Sequence, residues 1–419
     1  MINRLRSTYK EFPRSFWVLA GSGFIDRLGA TLVFPFFSLY ITQKFEVGMT
    51  QAGVLLAIFS ITGLAGSMIG GALTDRFGRR FLVLFGLIIS ALSSVLMGLV
   101  NDLSVFYLLA GFAGLLSDMG GPARQAMVAD LLPEKKRSEG FGILRVAGNM
   151  AWIIGPTIGG LLAARSYLLL FVLDAISSTI VAVILYLEVP ETMPSIESDG
   201  EETHFIDTIK GYRVVAADGL FLSFVLTTML MSVVYLQMYS TLSVYLRDVH
   251  GVPARGFGAL LSMNAATVVL LQFWITRKVR PYPQMLIMAL GTGLYLVGFT
   301  AYGFVSSYVL FAAAMLVITF GEMLIIPVGQ SLAARFAPEA MRGRYMAFFG
   351  LSWAIPNTIG PYTAGLVMDH FDPRWVWYAA GILSALAVLG YLTLYLRTRT
   401  RFAEQDQVFD KAKDSFSSS

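Results

Sequence analysis

The chain has 419 residues, of which 56% are hydrophobic and only 14% charged, with a mean hydropathy of +0.67. That is far from the quarter-charged composition of a soluble domain, and a net charge of +4 gives no polyelectrolyte character for holding nucleic acid. There is no cysteine, and the three histidines (His204, His250 and His370) are far apart, which excludes thiol chemistry and a histidine metal cluster.

Apolar runs long enough to cross a bilayer need about 20 residues. Twelve are expected: spans 1 to 6 at 15–41, 49–72, 81–100, 104–131, 141–164 and 167–188, and spans 7 to 12 at 219–246, 256–276, 284–304, 307–335, 343–368 and 375–397. The fold class is therefore an all-α membrane protein. Of the 31 Lys and Arg residues, 23 fall on the segments facing the side of the N-terminus, which predicts that both termini are cytoplasmic. The first apolar run is too long for a cleaved signal peptide. The expected domains are a six-helix bundle at 1–188, a linker at 189–217, a second bundle at 218–400 and a tail at 401–419. Within the linker, Glu197 to Glu202 is acidic and reads as flexible, and Ile206 to Val215 has the pattern of a short surface helix. The Ser-rich tail is expected to be disordered.

Two halves are also written in the residues themselves. Pro122, Gln125, Pro133, Glu134, Arg137, Gly155 and Pro156 recur 205 positions later as Pro327, Gln330, Pro338, Glu339, Arg342, Gly360 and Pro361. Internal repeats in a hydrophobic chain mark secondary transporters. No G-x-x-x-x-G-K-[ST] sequence occurs, so nothing points to ATP as an energy source.

After span 2 comes Gly71-Ala72-Leu73-Thr74-Asp75-Arg76-Phe77-Gly78-Arg79-Arg80. This stretch resembles the signature loop of the major facilitator superfamily, G-x-L-x-D-x-x-G-R-[RK], at each fixed position. Gly71 permits close helix approach, Gly78 a tight turn, and Asp75 either pairs with Arg79 or meets a helix N-terminus. The resemblance implies a further acidic partner at the end of span 4, here Asp130, and a conformational latch built from Gly71, Asp75, Gly78, Arg79 and Asp130. The equivalent stretch of the second half, Thr276-Arg277-Lys278-Val279-Arg280, has lost the acid and the glycines. In span 5, Gly148, Gly155, Pro156, Gly159 and Gly160 resemble the antiporter motif of the same family. As residues, they also suit plain close packing.

Ionisable residues inside a membrane helix are costly and mark function or a neutralising partner. Span 1 carries Asp26 and Arg27, followed by Pro35, resembling the first helix of the family's drug:proton antiporters. Span 4 carries Asp118 and span 10 carries Glu322, one place from the position 205 residues after Asp118. Glu322, Asp118 and Asp26 are the candidates for proton coupling. Each could instead be held in an ion pair by Arg27, Arg124 or Arg145; Asp174 is a further charge of this kind. In span 7, Met231, Tyr235, Gln237 and Tyr239 suit an adaptable substrate lining or ordinary core packing.

The resemblance implies twelve helices in two pseudo-symmetric bundles, alternating access, and efflux of amphiphilic compounds against protons. It implies no enzyme activity and no cofactor beyond the proton. The expected partners are a small amphiphilic substrate and membrane lipid, with no nucleic acid and a monomer as the working unit. A same-fold exporter or symporter of one metabolite, such as a sugar, shares these motifs. A non-transporting receptor or scaffold would have no need of paired mid-membrane acids.

Overall fold

The computed structural model describes residues 11–193, 213–338 and 341–417, and they are helical almost throughout, with no strand among them. Eleven helical spans among the described residues are long and apolar enough to cross a membrane. The remaining span, 11, is a helix of 29 residues, Arg342–His370, whose composition is diluted by Asn357, Thr358, two prolines and four glycines. Most helix ends agree with the expected spans to within about five residues; the helix of span 5 begins seven residues early, at Glu134, and that of span 12 runs on to Ser417. The acidic stretch from Glu197 and most of the expected surface helix at 206–215 lie outside the described residues. Span 12 belongs to one helix, Trp375–Ser417, so the backbone of 401–417 is helical where irregular chain was expected. Its start is tied down by Phe402, whose ring packs on Phe336 and whose carbonyl accepts from Arg335 at 2.8 Å.

Interruptions in the spans have local causes. Pro35 lies in a single 3₁₀ turn that divides span 1 into Arg14–Val33 and Phe37–Lys44. Span 4 starts with Asp102 accepting from the Val105 amide, then breaks at Asp118–Met119 into Leu103–Ser117 and Gly120–Leu131. Gly78, at φ 89°, separates spans 2 and 3 with a conformation that only glycine adopts cheaply.

The chain divides into two compact units. The first holds spans 1 to 6 together with Leu236–Ala266 and Asn357–Pro373; the second holds the remaining parts of spans 7 to 12. In the first unit Phe16, Leu19, Leu82, Leu87, Met127 and Leu185 form a core joining spans 1, 3, 4 and 6. In the second, span 9 packs against spans 10 and 12, and Ile275, Ile287, Met323 and Leu324 close the core between spans 8, 9 and 10. Large apolar side chains such as Met68, Leu187, Phe273 and Phe304 point outward and are more than two-thirds exposed, which is the face a lipid-embedded chain presents.

Candidate functional site

Two adjoining cavities lie within the first unit. One, of about 380 Å³, is walled by spans 1, 2, 3, 4 and 6 and by residues of 236–240 and 357–361. Its apolar wall includes Phe34, Phe37, Phe59 and Phe171; its polar wall includes Ser90, Ser94, Ser117, Asp118, Asp174 and Asn357. The other, of about 440 Å³, contains Asp26, Arg27, Arg124, Gln125 and Gly148. Both are lined by Ala30, Ser90, Ser117 and Asp118.

Asp118 owes its place to the break in span 4. It is the residue that ends Leu103–Ser117, and the helix restarts two positions on at Gly120. Irregular backbone at membrane depth survives only where it lines a cavity or is buried in protein. A Cβ on Gly63 of span 2 would collide with the Asp118 carboxylate, so the glycine makes room for it. The Asp118 side chain makes no ion pair or hydrogen bond with the described residues. Asp174, on span 6, is buried, and Ser94 donates to its Oδ2 at 2.5 Å. At the far wall Asn357 donates to the Ser60 hydroxyl, which in turn meets Thr358 at 2.8 Å.

Asp26 is different. Arg124 donates to its Oδ2 at 2.7 Å, so this expected proton site is held in an ion pair. Arg27 lines the same cavity, while Arg145 lines neither. Glu322 is half-buried on span 10 in the second unit and also lines neither cavity. Of the four span 7 residues, Tyr239 alone lines either of these two cavities, and its ring meets Trp152 edge-on. Met231 is fully buried, Tyr235 stacks on Tyr295 and meets Trp353, and Gln237 accepts from Thr241.

At the signature loop, Arg79 Nε lies 2.5 Å from Asp130 Oδ2. The Asp75 side chain lies outside what is described. Gly71 sits in open contact with Pro122, 4.0 Å from where its Cβ would be. Sequence reasoning missed Glu191, just past span 6. Its two carboxylate oxygens accept from the amides of Arg79 and Arg80, both at 3.0 Å, and so cap the start of span 3. Thr192 donates to Asp130 at 3.2 Å, which ties the linker's first residues to the loop. A partner separated by 111 residues with no repeat counterpart leaves no local pattern to read.

The motif in span 5 is a packing row. A Cβ on Gly155 would collide with Thr31 and one on Gly159 with the Leu32 carbonyl and Phe36, while one on Gly160 would press tightly on the backbone near Ala254 and Gly258. Pro156 is inside the helix between them. Gly148 is the exception: nothing lies within 4 Å of its Cβ position, and it faces the second cavity.

The model of the Major Facilitator Superfamily matches residues 19–356 and 285–418. A Na(+), Li(+), K(+)/H(+) antiporter of Planococcus maritimus is 30% identical, over 92% of this chain and 96% of its own. The multidrug resistance protein MdtH of Salmonella paratyphi B is 23% identical, over 90% and 94% of the two chains. Among solved structures, a POT family transporter in complex with 5-aminolevulinic acid shares the fold, with a TM-score of 0.75 at 18% identity over 93% of this chain and 96% of that one. Spans, signature loop and glycine row agree with these matches: the chain is a multi-pass membrane transporter, not an enzyme, and belongs to the Major Facilitator Superfamily.

Proposed function

We propose that the protein is a proton-coupled exporter of amphiphilic cations, working by alternating access, and that Asp118 is the residue at which proton and substrate compete. The observation that carries this reading is the position of the Asp118 carboxylate: at a helix break, on the wall of both cavities, with no ion-pair partner among the described residues. A carboxylate there is costly while charged and dry. It is relieved either by a proton or by a cation, and both together would leave excess positive charge, which is the logic of exchange. The aromatic wall of Phe34, Phe37 and Phe59 gives the apolar body of such a substrate somewhere to lie. The multidrug resistance name of one relative agrees with it. Glu322 remains a second proton site in this proposal. Both termini face the cytoplasm in this reading, which the charge asymmetry of the loops supports, and the proton is the only coupling species invoked.

A second reading is favoured by one feature. Ser90, Ser93, Ser94 and Ser117 line the first cavity beside Asp118 and Asp174, and hydroxyl and carboxylate oxygens are the ligands that hard cations take. The relative named for sodium, lithium and potassium exchange makes alkali cations the corresponding substrate.

The test is an inside-acid pH gradient across proteoliposomes of the full chain. Accumulation of a lipophilic cation dye, lost in Asp118→Asn, is the expected result. Entry of sodium or lithium with no dye transport would select the second reading. Dye transport undiminished in Asp118→Asn would remove Asp118 and shift the site to Glu322 or Asp174.

A further inference from the structure

The second copy of the signature loop takes no part in the transport site, yet it borders a cavity of its own. Within the second unit, about 570 Å³ opens between the ends of spans 8, 9 and 10. Its polar wall is Thr276, Arg277, Arg280, Tyr282, Gln284 and Ser331. Arg277 and Arg280 are both exposed and form no ion pair among the described residues.

The internal repeat identifies what the first half places at the equivalent point. There, the amides of Arg79 and Arg80 open span 3 and are capped by Glu191, while Arg79 pairs with Asp130. At the offset of 205 these residues become Gln284, Met285 and Arg335, and Glu191 becomes Leu396. Span 9 therefore opens with the same kind of amide groups, after Pro283, with no side chain capping them. The acids of the first half are replaced by cations: Asp75 becomes Arg280 and Asp130 becomes Arg335, while Ala72 becomes Arg277. One half of the molecule supplies its own carboxylate to this spot; the other presents two guanidiniums and a helix start to an anion from outside.

We propose that this cavity binds the phosphate of an anionic phospholipid, held by Arg277, Arg280 and the first amides of span 9. The approach to it is what selects a lipid over a soluble anion. Leu270, Phe273, Trp274 and Arg277 follow the spacing i, i+3, i+4, i+7 and so share one helix face. The first three are 77%, 78% and 59% exposed, giving an acyl chain an apolar track that ends at a guanidinium. Lys278 lies over the Trp274 ring at 4.8 Å and adds a third positive charge beside the track. Basic pockets between membrane helices at the positive face are where acidic headgroups settle.

The experiment is native mass spectrometry of the full-length protein, titrated in detergent with phosphatidylglycerol or phosphatidylethanolamine. The expected result is one tightly held phosphatidylglycerol per chain, with about thirty-fold weaker binding in the Arg277→Gln/Arg280→Gln double variant, because neither guanidinium then faces the phosphate. The zwitterionic lipid is expected to bind weakly to both proteins. An Arg277→Lys/Arg280→Lys variant, which keeps the charge, is expected to retain most of the binding and shows that any loss is electrostatic and not a failure to fold. Equal affinity of wild type and the glutamine variant for phosphatidylglycerol would overturn the proposal. Displacement of the lipid by millimolar inorganic phosphate, with the phosphate then seen on the protein, would overturn the lipid as occupant.

Discussion

Neutralising Asp26 and Arg124, singly and together, separates a structural ion pair from a proton carrier. The two are joined at 2.7 Å, and their side chains keep 25% and 30% of their exposure, so the pair is neither dry nor fully solvated. Two unit charges about 4 Å apart attract by roughly 4 kcal/mol at an effective dielectric of 20, and the cost of desolvating both cancels much of that. A coupling energy of about 1–2 kcal/mol is the expected remainder. Asp26→Asn leaves the Arg124 charge alone in the cavity wall, and Arg124→Gln leaves Asp26 alone, so each single variant is less stable than the wild type. The double variant recovers the coupling energy. The assay has two arms: unfolding in detergent micelles for stability, and pH-driven dye uptake in proteoliposomes for function. If Asp26 is a counter-ion, the double variant transports while Asp118→Asn does not. A folded double variant that has lost pH-driven uptake would refute this assignment and return Asp26 to the proton pathway. Additive single-variant losses would refute the coupling itself.

The glycine row makes a matched pair of predictions. Gly155→Leu forces spans 1 and 5 apart at Thr31 and is expected to cost about 1–3 kcal/mol or more, read as a lowered melting point in detergent. Gly148→Ala, with open space at its Cβ, is expected to leave that melting point unchanged. Glu191→Gln weakens the cap on span 3 by about 1 kcal/mol, which hydrogen exchange at residues 79–82 would report as faster amide opening. Asp369, whose two carboxylate oxygens accept from the amides of Met49 and Thr50 at 2.8 Å, caps span 2 in the same way. Asp369→Ala is expected to loosen residues 49–52 by about 1–2 kcal/mol on the same measurement, and an unchanged exchange rate would show the cap to be idle.

The spans were legible because a bilayer imposes a length and a polarity that few other folds require. The exceptions are instructive. Span 4 reads as one apolar run by hydropathy, and its break at Asp118–Met119 is marked only by the Gly120-Gly121-Pro122 that follows, a signal that the apolar run overrides. Span 11 is recognisable by its repeat of Gly-Pro more than by its hydropathy. Charges inside the membrane were easy to name but not to pair. Asp26 and Arg124 are 98 residues apart, and no periodicity joins them. Ser94, which donates to Asp174, is one serine among several in span 3, and its role appears only when span 6 lies against it. Loop motifs fared better, because turn geometry is local: a glycine at φ 89° between two helices is what the spacing at Gly78 asks for.

The repeat copies a scaffold, not a chemistry. Asp26, Asp118, Arg124 and Asp130 all lie in the first half; the same offset of 205 leads to Met231, Met323, Gly329 and Arg335. Met323 and Met231 are fully buried in the second unit, where the first has an exposed carboxylate on a cavity wall and another held by an arginine. A methionine has no charge to solvate, so at these two positions the energetic reason to admit water between helices is gone, although Glu322 stands one place before Met323. The carboxylates of the first half keep that reason, and both adjoining cavities are found beside them. Duplication supplied two equivalent sets of helices, and in the function proposed above Asp118 of the first set carries the exchange while Glu322 of the second is the further proton site. Restoring an acid at the copy, Met323→Asp, tests this directly: it is expected to destabilise the core of Ile275, Ile287 and Leu324 by several kcal/mol and to create no second transport site. A folded, stable variant with enhanced pH-driven uptake would show that the two halves are chemically interchangeable after all.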